Sequence, residues 1–405
     1  MEHICYLTNL EWARCVHIMK FRLFDKHQQP AITFFTASSG RVIVDNGIVT
    51  TGGAEAQISY LSNMIVSMGG KVNILTANVG ESKLSYGSNK INIIEIWSKR
   101  VPAPIKLIQL IHKVIISDPN IYIRGVSIAG FLIAILSRMF LKRVVVGLTS
   151  DLNCIEIPHK FWRNFWTKNT LRVCNQVIAQ TEDQKELLRK NFDVRSVVLS
   201  NVICLSKFEQ ARKVSFDSRD IDVLWVGTVE PRKGLENLLV IAAKMPSLMF
   251  CVVGGAGPSS KDYAQDMILQ SNGLDNVTMK GFVSPEQVVK WMSRSKMLLH
   301  TSIPMYGNLT KEGFPNVFLE AWASGVVVVS LHANPDEVLS SNDMGFKADS
   351  LDEASKILKE HTSKVEKWTR LSSKSLDFVS TRNAEDPLMQ KRLLGILTGY
   401  NYIGS

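Results

Sequence analysis

The sequence predicts an α/β protein with two doubly wound domains that face a central cleft. The chain has 405 residues, enough for two domains that each bury a core. Short apolar runs alternate with helical stretches along most of the chain, which is typical of βαβ units and parallel sheets. One polar, charged stretch at residues 206–220 separates two such series and is interpreted as a linker.

The first forty residues, 1–40, are interpreted as an N-terminal extension of unknown role. They lack a clear period, and the polar break at residues 25–30 ends in a proline that interrupts any helix. The N-terminus has neither a basic start nor a continuous apolar core, so we expect no secretory signal and a cytoplasmic protein.

The N-terminal domain is expected over residues 41–205. It opens with the predicted strand RVIVDNGIV at residues 41–49, a glycine-rich loop (TTGGAE), a helix and the strand KVNILTA. Further strands are predicted at INIIEIW, NIYIRG, KRVVVGL, QVIAQ and SVVLSN. The apolar window at residues 126–136 is shorter than the roughly 20 residues that span a bilayer, so we expect a buried helix.

The C-terminal domain is expected over residues 221–405. Its predicted strands are DVLWVG, MFCVVGG, NVTMKG, KMLLHTS and GVVVVS. Two Rossmann-like domains in tandem place a cleft between the carboxyl ends of two sheets, where such folds bind their ligands.

The net charge of +10 favours anionic partners, namely phosphates, anionic lipid or nucleic acid. Nucleic acid is disfavoured because the sequence has no recognition helix, zinc-finger spacing or RNA-binding aromatic motif. The six cysteines are scattered, which disfavours zinc, redox and disulfide sites and is typical of buried thiols in a reducing compartment.

Three segments carry residues suited to chemistry. Gly52 and Gly53 lie between a strand and a helix, where backbone amides approach a phosphate or simply form a tight turn. Arg232 and Lys233 follow the first C-terminal strand and either neutralise a diphosphate or form a solvated turn.

The third segment, KEGFPNVFLEA, holds two glutamates eight residues apart, Glu312 and Glu320. If a helix begins near Asn316, Glu312 lies in the loop at the cleft, and the amides of Asn316 and Val317 can meet phosphate oxygens. The alternative is an amphipathic helix with two solvated glutamates.

These motifs together resemble the GT-B glycosyltransferases of family 4, the retaining, group 1-type enzymes that use activated sugar donors. The resemblance runs from about residue 41 to the C-terminus, and the segment EGFPNVFLEAWASG is its most specific part. It implies a GT-B fold, with C-terminal helices returning to the N-terminal domain.

The resemblance also implies roles for single residues. Glu312 and the backbone of Gly313, Phe314 and Pro315 would contact the donor sugar, and Glu320 would hold the ribose hydroxyls. Lys233, supported by Arg232, would bind the diphosphate. The GGAE loop would approach from the opposite domain, and residues Lys280 to Val283, with Phe282, would lie near the nucleobase.

Two departures qualify this assignment. Thr228 stands where many relatives have an arginine, so Arg232 would have to compensate. The loop at residues 300–310 is longer than usual and is expected either to shape the sugar pocket or to be a surface insertion.

Asp151 follows the strand KRVVVGL at the cleft side of its sheet. It is a candidate to position the acceptor or to stabilise developing positive charge; the alternative is a helix or turn cap. The segment at residues 159–172 interleaves four aromatic with four basic residues, which suits either a helix on anionic lipid or a helix that packs its aromatics in the core.

The sequence therefore predicts a retaining glycosyltransferase, with Glu312, Lys233 and Asp151 as catalytic candidates. We expect it to move sugar from a nucleotide-diphosphate donor to a saccharide or lipid-linked acceptor in polysaccharide or glycolipid assembly, without metal or cofactor. We also expect peripheral contact with the cytoplasmic face of an anionic membrane if the segment 159–172 lies on lipid. The alternatives are an epimerase or hydrolase on the same fold and a noncatalytic sugar-nucleotide-binding subunit; a dehydrogenase is disfavoured because the dinucleotide fingerprint is incomplete.

Overall fold

A computed structural model describes residues 29–36, 53–76, 91–97, 101–257, 259–307, 309 and 312–400. Within this part of the chain the first sheet has seven parallel strands in the order β3-β2-β1-β4-β5-β6-β7. These strands, β1 to β7, are Ala31–Thr36, Lys71–Thr76, Ile91–Glu95, Asn120–Arg124, Arg143–Gly147, Gln176–Ala179 and Ser196–Val198.

The first strand corrects the expected start of the N-terminal domain. β1 lies inside the segment 1–40, for which the sequence predicts an extension, and it pairs with both β2 and β4 near the middle of the sheet. Its run AITFFT buries Ile32, Phe34 and Phe35. The strand expected at residues 41–49 and the glycine at position 52 lie outside the described residues.

Helices cover both faces of this sheet. One face carries α1 (Gly53–Ser67), and the other carries α2 (Ala103–Ile116), α3 (Ile128–Met139), α4 (Phe161–Val173) and α5 (Glu182–Phe192). Right-handed crossovers explain the division, because the chain moves one way along the sheet after β1 and the other way after β3.

The second sheet has six parallel strands among the described residues, in the order β10-β9-β8-β11-β12-β13. These strands, β8 to β13, are Ile221–Val226, Phe250–Val253, Val277–Met279, Ser295–His300, Val327–Ser330 and Gly345–Lys347. The helices that follow α5 are α6 to α13: Glu209–Arg212, Leu235–Lys244, Lys261–Ser271, Pro285–Ser293, Asn316–Ala323, Leu351–His361, Val365–Ser380 and Pro387–Thr398.

The segment 206–220 is packed against the second sheet and is not the polar linker that its composition predicts. It buries Phe208 and Phe216, which join the cores on the two sides of that sheet. The guanidinium of Arg219 donates hydrogen bonds to backbone carbonyls that include Ser295 and Ser324, and burial lowers its pKa to about 10. A polar composition hides this packing because the charged residue is bonded inside.

The C-terminal helix α13 returns to the first sheet. Its Leu393 and Leu397 join the core beside α1, and Arg143 at the start of β5 donates to the carbonyl oxygen of Leu397 at 3.1 Å. Two Rossmann-like domains thus face a central cleft, and the chain crosses between them twice.

The apolar window at residues 126–136 forms most of α3. Its inner side, with Phe131, Ile133 and Ala134, is buried as expected, but Ile128 is exposed. None of the helices in the described ranges is both long enough and apolar enough to cross a membrane.

Candidate active site

The centre of the candidate site is the carboxylate of Glu312, in the loop between β11 and α10. Lys233 donates a hydrogen bond to its Oε1, and the guanidinium of Arg232 lies 3.5 Å from the same oxygen. The Oε2 atom lies 3.1 Å from Nε2 of His300, at the end of β11, and Ser302 donates to Oε1 at 3.1 Å. Two residues that are expected to contact different parts of the donor, Lys233 and Glu312, are therefore in direct contact with each other.

The basic turn is held in place by the loop after β11. Residues Pro231–Lys233 form one 3₁₀ turn, which Gly234 ends in the left-handed region at φ 60°. Thr301 donates to the carbonyl oxygen of Lys233 at 2.7 Å, and the N–H of Ile303 donates to that of Arg232 at 3.0 Å. The loop at residues 300–310 therefore supports the basic turn through its first part.

The electrostatics of this cluster keep Glu312 ionised. Burial by itself raises its pKa, but Lys233 and His300 outweigh that effect and hold the pKa well below its ordinary value. Arg232 also pairs with Glu230. Two cations thus meet two carboxylates, so the cluster is nearly neutral before any phosphate binds.

Asp151 approaches this cluster from the other domain. It begins a short 3₁₀ turn after β5, and its N–H lies 3.5 Å from the carbonyl oxygen of Glu312. Burial raises the pKa of its carboxyl group to about 7, although a 2.8 Å hydrogen bond from Gln184 opposes that rise. Ser150, and not Asp151, caps the turn, accepting from the N–H of Leu152. The capping alternative for Asp151 is therefore wrong.

Side-chain amides of the N-terminal domain form hydrogen bonds with the loop 313–316. Gln180, after β6, accepts from the N–H of Phe314 at 2.8 Å, and Asn201 donates to the carbonyl oxygen of the same residue at 2.9 Å. A Cβ atom added at Gly313 would lie 2.1 Å from Oε1 of Gln180. The amide of Phe314, expected at the donor sugar, is thus bonded across the cleft, and no residue larger than glycine fits beside it.

Asn316 completes this contact at the start of α10. It donates to the carbonyl oxygen of Gly53 at 2.7 Å and accepts from Asn201 at 2.8 Å and Gln57 at 3.2 Å. The GGAE loop therefore reaches the N-terminus of α10 from the opposite domain through Gly53. Val317 is partly buried against the core of the second sheet.

The side chain of Phe314 is part of a core. It is buried and stacks on Phe378 with ring centroids 6.1 Å apart, and Trp322 contacts it edge-on. Pro315 is buried beside it as the N-cap residue of α10. The ring of Phe314 therefore belongs to the core, and its backbone N–H and carbonyl groups are bonded to Gln180 and Asn201, so the donor-sugar role that the resemblance implies for this backbone stays a prediction.

Glu320 lies one turn inside α10 and is half-buried. Burial raises the pKa of its carboxyl group to about 7, an effect that nearby Lys207 partly opposes. Tyr60 of α1 is close enough for the Glu320 charge to raise the tyrosine pKa further above its ordinary value. A carboxylate set between the two domains in this way suits hydroxyl donors.

The expected nucleobase region lies at the edge of the cleft beyond β10. Phe282 is 59% exposed beside Gly255, and Lys280 places its ammonium 4.9 Å from the ring centroid of Trp291. Val283 packs on the core of the second sheet. Thr228 packs closely against Gly257. A Cβ atom added at Gly257 would lie only 3.2 Å from the methyl group of Thr228.

Three parts of the site were missed by the sequence reasoning. His300 is recognisable only as a polar residue that ends a buried strand. Gln180 and Asn201 follow β6 and β7 at the same edge of the first sheet, with no motif around them. Their shared signal is position at the carboxyl ends of parallel strands, where cleft residues are expected.

A second contact between the domains involves the loop after β12. The carboxylate of Asp336 accepts from the N–H groups of Glu182 and Asp183 at 3.1 and 3.0 Å, at the start of α5. Asp183 in turn accepts from the N–H of Asp336 at 2.9 Å. Burial raises the pKa of Asp336.

The described ranges hold no group of three or more His, Cys, Asp or Glu side chains arranged to bind a metal.

Comparison with known proteins identifies the domain that contains this cluster. Residues 206–371 match the family described as glycosyl transferases group 1. The C-terminal domain is a group 1 glycosyltransferase domain. This confirms the resemblance to group 1 glycosyltransferases that the Glu312 segment indicates. No curated protein sequence gives a significant match to this chain.

Solved glycosyltransferase structures share the architecture of both domains. Anabaena HepE in complex with UDP and glucose has a TM-score of 0.70 and 16% identity, covering 91% of this chain and 100% of its own. Sucrose-phosphate synthase from Thermosynechococcus elongatus has a TM-score of 0.71 and 16% identity, and the match covers 90% of this chain and 97% of the synthase. WaaG, a glycosyltransferase involved in lipopolysaccharide biosynthesis, has a TM-score of 0.60 and 14% identity, and the match covers 91% of this chain and 100% of WaaG. At these identities the likeness establishes the fold, which is GT-B.

Proposed function

We propose that this chain is a retaining glycosyltransferase of family 4 that moves sugar from a nucleoside-diphosphate sugar to an acceptor hydroxyl. The observation that carries the proposal is the position of Glu312. Its carboxylate contacts Lys233 and His300, and its carbonyl oxygen meets the N–H of Asp151 from the other domain. The complexes of HepE with UDP-glucose and with UDP and glucose support the donor class.

The donor would lie along the second sheet. Lys233 and Arg232 offset the charge that develops on the leaving diphosphate, because preorganised cations act most strongly in a water-poor site. An ammonium carries three N–H donors, and Glu312 accepts one of them. Glu320 accepts the ribose hydroxyls, and Glu312 accepts a sugar hydroxyl. This arrangement requires no metal or cofactor.

The transfer step exchanges one bond for another at the anomeric carbon. The bond to the leaving phosphate oxygen breaks, and the acceptor oxygen bonds to the same carbon on the same face. The acceptor proton passes to the leaving phosphate. Ionised Asp151 stabilises the positive charge on the sugar ring or orients the acceptor hydroxyl. Retention and the same-face route rest on the family resemblance.

The acceptor would be a saccharide or a lipid-linked saccharide, in polysaccharide or glycolipid assembly on the cytoplasmic side of a membrane. The description of WaaG as an enzyme of lipopolysaccharide biosynthesis supports this class. Its hydroxyl would reach the donor beside Asp151, because that residue lies at the carboxyl edge of the first sheet, facing the Glu312 loop.

The test is a turnover screen with UDP-, GDP-, ADP- and dTDP-sugars, each with and without saccharide and lipid-linked acceptors. We expect one donor to release nucleoside diphosphate only with an acceptor, and NMR of the product to show the donor's anomeric configuration. Lys233→Ala should abolish release, whereas Lys290→Ala, an exposed lysine of α9, should not. Release of nucleoside diphosphate without an acceptor would identify a hydrolase, and conversion of the donor to its epimer would identify an epimerase. Donor binding without turnover would identify a noncatalytic subunit.

A further inference from the structure

Exposed apolar side chains are concentrated on one part of the N-terminal domain. Of the 21 large hydrophobic residues that are exposed in the described chain, 12 lie between residues 105 and 165. They are spread over α2, α3 with the turn that follows it, and α4, with Ile108, Ile128 and Trp162 among the most exposed of each helix. Monomeric proteins seldom expose apolar patches of this kind without a partner.

The three helices form one continuous layer. They pack on the same face of the first sheet, where Leu110, Ile133 and Leu171 join a common core. α3 is in contact with both α2 and α4. Their outward sides therefore make a single surface, which we call the docking face: the solvent-facing sides of residues 103–116, 128–139 and 161–173.

Aromatic rings at the start of α4 form a ridge on the docking face. Phe161 is 70% exposed and Trp162 is 66% exposed, so the core-packing alternative is wrong for these two of the four aromatic residues. The ridge is anchored from below, because Trp166 packs on Phe131 of α3 with ring centroids 5.0 Å apart. Arg163 donates to the carbonyl oxygen of Leu152, which fixes the start of the helix.

The helices of the docking face carry charged side chains of one sign, although Glu95 lies near Lys113 and Glu156 pairs with Lys168 at 3.8 Å. The three helices contain six Lys or Arg residues and no Asp or Glu. Within the described chain, Lys106 and Lys113 of α2 have no carboxylate within salt-bridge distance. Exposed aromatic and aliphatic side chains among cations are typical of helices that lie in the headgroup region of anionic membranes.

We propose that the docking face lies on a bilayer that contains anionic lipid, with the aromatic ridge inserted among the headgroups. A protein partner fits less well, because the cores of protein interfaces are depleted in lysine. The proposal stands apart from the transfer reaction, since binding to vesicles is measured without donor or turnover.

The docking face also lies beside the cleft. Each of its helices begins after the carboxyl end of a parallel strand, at the edge of the sheet that carries the site. Asp151 precedes Phe161 by only a short 3₁₀ turn and loop, and Arg163 bonds to that turn. A bilayer on the docking face would therefore lie next to the place where the acceptor enters.

The test is co-sedimentation of the full chain with vesicles of phosphatidylcholine alone or with one quarter phosphatidylglycerol. We expect binding to the anionic vesicles that weakens with salt. Trp162→Glu should weaken it about tenfold, because a charge replaces an inserted ring. Leu269→Glu is the matched control, since Leu269 is 69% exposed on α8 of the other domain. Circular dichroism checks that both variants fold.

Three outcomes would overturn the proposal. The first is a parent chain that sediments with neither vesicle, and the second is a loss of binding in Leu269→Glu as large as that in Trp162→Glu. The third is a lipid-free dimer, seen by light scattering, that Trp162→Glu dissociates, in which case a second copy covers the face. If Trp162→Glu fails to fold, the double variant Lys106→Glu/Lys113→Glu decides, with loss of binding expected and retention contradicting the proposal.

Discussion

Nucleotide binding should depend on pH through Glu320. Burial raises the pKa of its carboxyl group to about 7, and the group is close enough to Tyr60 and Lys207 to interact electrostatically with both. Ribose hydroxyls donate hydrogen bonds to the ionised form, so a bound nucleotide should lower that pKa. By linkage, affinity must then rise as the pH rises through about 7, and binding below that pH must release a proton.

The size of the effect follows from the pKa. At pH 6, about ten of every eleven copies carry a protonated Glu320, whereas at pH 8 about one in eleven does. If only the ionised form binds, affinity should be about tenfold weaker at pH 6 than at pH 8, or about 1.4 kcal/mol. At pH 6.5, binding should release about three quarters of a proton.

Isothermal titration calorimetry in buffers of different ionisation enthalpy measures both quantities, with the nucleotide sugar that the donor screen selects as the ligand. The terminal phosphate of a free nucleoside diphosphate would itself release a proton in this pH range, whereas the diphosphate of a nucleotide sugar has no such proton. Glu320→Gln should remove the proton release and flatten the pH profile. Asp151→Asn is the control, because the pKa of Asp151 is also raised to about 7, yet it lies on the acceptor side. Proton release that persists in Glu320→Gln, or disappears in Asp151→Asn, would refute the assignment of Glu320 to the ribose.

Two further predictions test the segment 313–314. Phe314→Ala should destabilise the protein by about 3–5 kcal/mol, because the ring is buried against Phe378 and Trp322. Phe282 is exposed, so Phe282→Ala should leave the denaturant midpoint nearly unchanged and weaken nucleotide binding about tenfold. Equal destabilisation by Phe314→Ala and Phe282→Ala would contradict the assignment of Phe314 to the core and Phe282 to the nucleobase. Gly313→Ala should lower turnover about a hundredfold by forcing the loop away from Gln180, while Gly273→Ala, with 3.7 Å of clearance, should not. Normal turnover of Gly313→Ala would mean that this contact is absent in the working enzyme.

The general architecture was predictable because a parallel sheet has a strong local signal. Apolar runs such as RVVVG and VVVS are buried on both faces, and turn residues separate them from helices. The start of the fold was not predictable in this way. AITFFT and RVIVDNGIV are both β-like runs close together, and nothing local decides which of them pairs beside β4.

The site was predictable where its residues are close in sequence and otherwise was not. Glu312 and Glu320 share one loop and helix, so their spacing alone places them together. His300, Gln180 and Asn201 reach the same loop from other strands, over separations of up to 134 residues. No period relates such residues, and their contacts depend on how the domains close.

The contact between Lys233 and Glu312 has a consequence for product binding. The Glu312 carboxylate accepts one N–H group of the Lys233 ammonium and repels phosphate. It should therefore weaken the binding of the nucleoside diphosphate while it orients the sugar. Glu312→Gln should therefore bind nucleoside diphosphate about tenfold more tightly and turn over more slowly, whereas Lys233→Ala should lose both. Calorimetry and turnover measured on the same preparations separate the two effects. Weaker nucleotide binding by Glu312→Gln would mean that the carboxylate serves to position Lys233 and does not compete with the phosphates for it.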